Sequence, residues 1–446
     1  MKNTSKEKAI FNSLPKTLYI LSLCVLSLIY GFFAFPSKWF PYSLIKNAMA
    51  YINENFTEER YYYAKTESTK TIPVYNENLA FNGLSLVTSI IEDDGLSARV
   101  IDMEGELIHE WKIDWFELWP EVSHIPKSDP YYPKSQPGTE IHGAVLLENG
   151  DLIFNFSHLG MIRLDICGNV VWRLAYRTHH SIFLDEFGDL WVSGNVRHEN
   201  PLPGFPNQEP PYFEDTVLKV SLDGKILKEI SIFEIFKKNK LEGLLYLSSF
   251  GDFIINSAGD PLHLNDVETF PSYMDEGIFK SGDIMLSLRN INTVLIFREE
   301  DLKVTHMFTG MFVRQHDPDF IDGNTISVYD NYRIASDNHG HQSRILIGSF
   351  KNGQYDVYYS GDVQQPFYSY IMGKHEWLPN GNLLITESTN GRAFEVNQDG
   401  KIVWEYVNLI GDDLAGLVTE VHRLPPLFTE EYFGQLINNC DIGISE

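Results

Sequence analysis

The sequence predicts an all-β fold, a six-bladed β-propeller preceded by an N-terminal transmembrane helix and a short helical stalk. Three observations predict it. Six segments open at or near a histidine, His142, His180, His263, His316, His375 and His422, at steps of 38, 83, 53, 59 and 47 residues. The full copies pair that histidine with a downstream glycine turn and a β-rich run, most sharply in KHEWLPNGNLLIT over 374–386, and strand-built repeats of this size are blades. Helical periodicity is scarce beyond the N-terminal region, while 446 residues with 43% hydrophobic and 13% aromatic content suffice for one large core.

The elements follow in chain order. Residues 1–16 form a cytoplasmic tail in which Lys2, Lys6, Lys8 and Lys16 outweigh Glu7. Residues 17–35, from Thr17 to Phe35, carry no charge, and nineteen residues span the hydrocarbon core as a helix. The basic flank keeps the N-terminus inside and sends the rest out, so the catalytic domain is expected to be extracytoplasmic, periplasmic or extracellular. No small-x-small cleavage site follows, which favours a retained signal anchor over a removed signal peptide. A juxtamembrane stalk occupies 36–80, with Leu44, Ile45, Ala48, Met49, Ile52 and Phe56 at helical spacing.

The propeller is placed at 81–430 and a C-terminal tail at 431–446. Blade one begins near Phe81, blade two near Glu140 and blade three near His179, with a Pro-rich insertion from Glu199 to Pro211. Blades four, five and six begin near Ile254, Arg314 and Tyr370. Asn149-Gly150, Asp223-Gly224, Asn380-Gly381 and Asp399-Gly400 are hairpin turns. The Pro-rich stretch from Pro120 to Pro137 and the insertion in blade three are expected to shape a pocket mouth.

Composition excludes several functions. A net charge of −26 without a basic stripe rules against nucleic acid, since phosphate binding needs clustered Lys and Arg. There is no CxxC and no Cys/His zinc spacing, so neither a metal nor a cofactor is expected. Cys24 lies in the apolar run; Cys167 and Cys440 can pair if the compartment is oxidising.

A single recurring histidine often caps a strand or bonds to a neighbouring blade. Six copies read differently, because the starts of innermost strands converge on the channel and a cluster of imidazoles there is seldom needed for packing. Arg289, Arg333 and Arg344 lie in the same blades, and an arginine beside such a cluster suits a tetrahedral oxyanion.

Several spaced blocks over roughly 81–430 resemble the bacterial arylsulfotransferases: VIDMEGELIHEW, HLNDV with a later SLRN, RQHDPDFIDGNTISVYDN, and KHEWLPNGNLLITESTNGRAFEVNQDGKIVWEYVN. The resemblance implies a six-bladed propeller that moves a sulfuryl group from an aryl sulfate to a phenol through a sulfated histidine, without a nucleotide donor. Carried over by residue, it implies His375 as the nucleophile, His263 and His316 as its supporting histidines, and Arg333, or else Arg344, as the arginine after the Asp-Asn pair. His142, His180, Asn265, Arg289 and Asn331 are then expected to bind substrate. Membrane attachment is through the N-terminal helix. Two other readings remain: a non-catalytic extracytoplasmic propeller that binds glycan or protein in envelope assembly, and a calcium-dependent propeller hydrolase using Glu376, Asp317, Asn265 and Glu387 as oxygen ligands.

Overall fold

A computed structural model describes residues 4–34, 61–129, 131–247, 257–334, 342–349, 354–438 and 440. It divides into two compact units, Met1–Tyr61 and Tyr62–Glu446. In the first, helix α1 runs over Thr4–Ala34. Its stretch Pro15–Phe33, with a mean hydropathy of 1.7, is long and apolar enough to cross a membrane. The stalk helix expected around 41–56 lies outside the described residues.

The second unit is a six-bladed propeller of antiparallel four-stranded sheets. From the innermost strand outward, blade two is Ile141–Leu146, Leu152–Phe156, Gly160–Leu164 and Val170–Leu174. Blade three is Thr178–Leu184, Asp189–His198, Gln208–Ser221 and Ile226–Ser231. Blade four is Leu264–Thr269, Asp283–Leu288, Thr293–Arg298 and Val304–Thr309. Blade five is His316–Asp322, Thr325–Asp330, Arg344–Ser349 and Gln354–Tyr359. Blade six is Lys374–Trp377, Leu383–Glu387, Arg392–Val396 and Ile402–Val407, with Val74–Tyr75 added at its outer edge.

Blade one is assembled from both ends of the unit. Its innermost strand is Val418–Arg423, which pairs antiparallel with Ser85–Ile91, and Gly95–Ile101 and Leu107–Ile113 complete it. The loose sixth repeat at His422 is therefore the strand that closes the ring. Closure removes two free sheet edges, which otherwise invite pairing with other chains. Beyond it, the helix Glu430–Ile437 buries Phe433, and a Cys167–Cys440 disulfide ties the chain end to blade two.

The insertion of blade three is a loop over 199–207 that runs into the start of Gln208–Ser221, and the strands flanking it pair out to His198 opposite Tyr212. One boundary differs from the expected ones. Blade four starts at Leu264, not near 254, while Ser257–Gly259 pairs with blade three instead.

Buried faces of adjacent blades meet in separate apolar clusters. Met285, Val294, Ile296, Phe320, Ile326 and Val328 fill the seam between blades four and five. Val87, Leu384, Trp404, Tyr406, Val418 and Val421 fill the closing seam between blades six and one. At about 25 cal/mol per Å² of apolar surface these seams dominate the stability of the ring. They leave the innermost strands, neighbours in sequence around the axis, to line a narrow central channel.

Candidate active site in the channel

The channel cavity takes residues from every blade, among them His142, Ser181, Asn265, His316, Lys374 and Thr419. Local backbone geometry seats them. Register shifts interrupt the innermost strands of blades one to five near their starts, between Val418 and Glu420, Ile141 and Ala144, His179 and Ile182, Leu264 and Asp266, and His316 and Pro318. Such bulges re-aim side chains. His180, His263 and Asp317 adopt φ of 60°, 56° and 48°, a left-handed conformation that a non-glycine residue keeps only when its surroundings enforce it. Gly143, at φ 97°, lies where a Cβ would run into the His180 carbonyl, so only glycine lets blades two and three approach there.

Six imidazoles gather at one end: His142, His158, His179, His180, His263 and His316. His180 is the centre. Its ring centroid lies 4.1 Å from His142, 4.9 Å from both His179 and His263, and 6.3 Å from His316. Its Nδ1 meets His179 Nδ1 at 2.7 Å and its Nε2 meets His263 Nε2 at 3.3 Å. His263 Nδ1 bonds to Asp260. Tyr131, from the Pro-rich loop, stacks on His158 at 4.2 Å.

Burial makes five of these imidazoles neutral, while Asp260, bonded to His263 Nδ1, favours the charged form of the sixth against its own burial. Desolvation pushes His142 down to about 4, and it holds His158, His179, His180 and His316 well below the usual imidazole range. Mutual repulsion adds to it, and Arg289 bears on His263 and His316. Neutral imidazoles are nucleophiles, unlike imidazolium.

One ring is held in a single tautomer. His316 Nδ1 lies 2.7 Å from Asn331 Oδ1. The Asn331 amide cannot be reversed, because its Nδ2 donates to the carbonyls of Ser369 at 2.8 Å and Met372 at 2.7 Å. Asn331 Oδ1 therefore accepts, His316 Nδ1 carries the proton, and the lone pair sits on Nε2. That atom is buried and has no hydrogen-bond partner. Asn265 is fixed similarly, donating Nδ2 to the Gln315 carbonyl at 2.8 Å, with its Oδ1 buried and unpartnered.

Of the arginines, Arg289 is half-buried in the turn after the second strand of blade four, and Arg333 is exposed after the second strand of blade five. Arg344 does not join them: its Nε donates to Asp330 Oδ2 at 3.0 Å, and its guanidinium covers the Tyr332 ring at 3.7 Å. It is a structural clamp.

His375 also stands apart. Its side chain is fully buried against blade five, with Nε2 at 2.7 Å from Ser327 Oγ and Nδ1 at 3.0 Å from Asp317 Oδ2. Both ring nitrogens are thus engaged, and the ring lies outside the histidine cluster that the sequence placed it in. The strand alternates, so it is the preceding Lys374 that faces the channel. Lys374 Nζ reaches Asp317 at 2.6 Å, Asp266 at 3.7 Å and Glu420 at 3.9 Å. Burial works against its charge, yet these carboxylates hold it well above the usual lysine range.

The carboxylates considered as calcium ligands do not converge. Glu387 pairs with Arg392 at 3.1 Å, Glu376 accepts from the Arg423 backbone N–H at 3.0 Å, and Asp317 serves Lys374 and His375. Among the described residues one His/Asp group, Asp317, Asp319 and His375, has donor atoms within 4.8 Å of one another, and its histidine is already bonded on both nitrogens.

Comparison with known proteins decides the family. The family model described as Arylsulfotransferase (ASST) matches residues 143–409. This chain belongs to the arylsulfotransferase family. No curated protein matches it. Among solved structures it is similar to a protein of unknown function from Bacteroides caccae, at 12% identity and a TM-score of 0.44, over 76% of this chain and 98% of that one. It is also similar to a catalytically inactive virginiamycin B lyase from Staphylococcus aureus bound to quinupristin (9%, TM-score 0.36, 77% and 87% covered). A third is the β-propeller domain of Cps50 (Swd1) from Myceliophteria thermophila (9%, TM-score 0.39, 79% and 90% covered). None of the three likenesses bears on what this arylsulfotransferase-family chain does.

Within this family member, sequence reading found His142, His180, His263 and His316 and missed His158, His179 and Lys374. His158 lies in the turn after the second strand of blade two, with φ 60°. In an antiparallel blade that turn returns to the end where the innermost strand begins, as it does for Arg289 and Arg333. A search of second-to-third-strand turns for histidine and arginine finds all three.

Proposed function

We propose that this protein transfers a sulfuryl group from an aryl sulfate to a phenol at the histidine end of the channel, with His316 as the nucleophile. The observation that carries this reading is the buried, unpartnered Nε2 of His316, whose proton is kept on Nδ1 by a locked Asn331. Family membership gives the reaction class.

In the first half-reaction His316 Nε2 attacks sulfur, the N–S bond forms and the S–O(aryl) bond breaks. The leaving phenolate takes a proton from His263, whose imidazolium is supported by Asp260. Arg289 neutralises the sulfuryl oxygens as their charge shifts. In the second half-reaction the neutral His263 accepts the proton of the incoming phenol, whose oxygen attacks sulfur and releases His316. The two halves return every proton to its starting place. His142 and His180 line the pocket with His316, and Tyr131 offers an aromatic face to the aryl ring.

The domain is read as extracytoplasmic, anchored by helix α1. The lysines before the apolar span and the Cys167–Cys440 disulfide both support this placement, since disulfides persist in oxidising compartments.

The test is intact-mass analysis of the detergent-solubilised full chain after mixing with 4-nitrophenyl sulfate alone. A sulfuryl adduct that maps to His316, and that disappears in His316→Ala, is the expected result. An adduct on another residue sinks the assignment of the nucleophile, and no turnover with any aryl sulfate sinks the reaction.

A further inference from the structure

Three arginines surround the rim of the histidine cluster, and no carboxylate pairs with any of them among the described residues. Arg289 points Nε and Nη2 at Asn290 Oδ1 from 3.4 and 3.5 Å, and Arg314 Nη1 donates to the same oxygen. That amide is oriented, because Asn290 Nδ2 donates to the Asp260 carbonyl at 2.7 Å. Two guanidinium groups thus share one neutral oxygen. Arg333 completes the group, lying over the Tyr370 ring at 5.4 Å. Burial lowers Arg289 to about 10 against the pull of Asp260, with Arg314 and Arg333 adding to the lowering; Arg314 is lowered by burial and by Arg333, and Asp260 opposes it.

This is unusual in its own chain. With 61 acidic residues against 35 Lys and Arg, other arginines at the inner ends of the blades have their carboxylates: Arg177 has Asp129, Arg344 has Asp330, Arg392 has Glu387 and Arg423 has Glu395. Asp260, the nearest acid to the trio, is bonded to His263. Three cations held together with no carboxylate in direct contact among the described residues, and with Asp260 as the one acid that bears on Arg289 and Arg314, form a local site for anions against the net charge of −26. One guanidinium, the half-buried Arg289, suffices for the sulfuryl group. Arg314 and Arg333 are exposed and stand outside it.

We propose that Arg314 and Arg333 form a second anion subsite at the channel mouth, which selects phenolic acceptors carrying a carboxylate of their own. The proposal rests on the sulfotransfer reading and names its acceptor class. Guanidinium binds carboxylate through paired charge-assisted hydrogen bonds, and Tyr370 beside Arg333 gives the acceptor an aromatic neighbour.

The test compares 4-hydroxyphenylacetate with its uncharged isostere 4-hydroxyphenylacetamide as acceptors, using the full chain in detergent and 4-nitrophenyl sulfate as donor. The acid is expected to show a kcat/KM at least about tenfold higher, the scale of one charge-assisted contact. The preference should shrink with added salt and fall towards unity in the double variant Arg314→Gln, Arg333→Gln. Equilibrium binding of the same two compounds to the unsulfated protein, by calorimetry, reads the subsite without turnover. Equal kcat/KM and equal Kd for acid and amide overturn the subsite and leave sulfotransfer intact. A preference that survives in the double variant also overturns it. Charge-selective binding with no sulfuryl transfer to either compound keeps the subsite and overturns the reaction.

Discussion

His316 and Asn331 are 15 residues apart in sequence and 2.7 Å apart in space, and that one contact decides which nitrogen of the ring is free. Asn331 acts through His316 and is a positioning residue. Its replacement by Leu frees the Nδ1 proton to move and is expected to lower kcat by about 10- to 1000-fold with a smaller change in KM, the scale of losing one oriented polar group. Asn331→Asp keeps the acceptor and adds a charge, so the acidic limb of the kcat/KM profile should move to higher pH. A packing role alone would leave that limb where it is; a profile unmoved by the aspartate rejects the tautomer argument.

His375 gives the opposite expectation. Its ring joins blade six to Ser327 and Asp317 of blade five. His375→Ala should destabilise the fold by about 2–4 kcal/mol, through a cavity and buried polar atoms left unpaired. The sulfuryl adduct should still form on His316. Urea unfolding and adduct mapping on the same preparation separate the two effects, and a stable variant that fails to form the adduct returns the nucleophile to His375.

The neutral imidazoles make stability depend on pH with a definite sign. His142 titrates near 4 when folded and near 6.5 when unfolded, so below 6.5 the unfolded chain takes up a proton that the folded one refuses. Its share of stability falls by about 2 kcal/mol between pH 7 and pH 5. Asp266, pushed up to about 7 by burial, works in the opposite direction over that range. The histidine share is therefore read by difference: His142→Gln should lose about 2 kcal/mol less than the wild type over that interval in urea unfolding. Identical losses refute it. His422 has the reverse sign. Burial opposes its charge, but Glu376 and Glu420 raise it to about 10, so its contribution is complete below 6.5, declines as pH rises above 6.5 and is gone above about 10.

The Cys167–Cys440 bridge closes a loop of 273 residues and fixes the segment whose Phe433 stacks on His109 at 6.3 Å. Replacing both cysteines by serine should lower stability by about 2–5 kcal/mol. Equal unfolding midpoints for the wild type under oxidising and reducing conditions would falsify this.

Blades two to six were legible in the sequence because a histidine lies within two residues of the start of each innermost strand and a glycine turn follows, at Gly150, Gly188, Gly282, Gly323 and Gly381. The four cluster histidines at strand starts came with them. His375 and Lys374 mark the limit. They are adjacent, and a strand turns neighbours to opposite faces, so an error of one position in the assumed register exchanges a channel residue for one in the seam between blades. Blades one to five carry a register shift near the strand start, and blade six has none between Lys374 and Trp377. A repeat read as uniform therefore transfers the histidine face of the other blades to a strand that lacks the bulge. His158 was obscured differently: it lies, like Arg289 and Arg333, in a turn after a second strand, where no periodic pattern marks a residue. Their common end becomes visible only when the strand directions are known.

The strand that completes blade one, Val418–Arg423, follows the strands of the other five blades in the chain, and its Thr419 and Glu420 form one wall of the channel. Until those residues are delivered, Ser85–Ile91 remains an unpaired edge and the histidines line an open groove. A chain that lacks this strand thus presents an unpaired edge and an open channel together, and a single pairing event removes both.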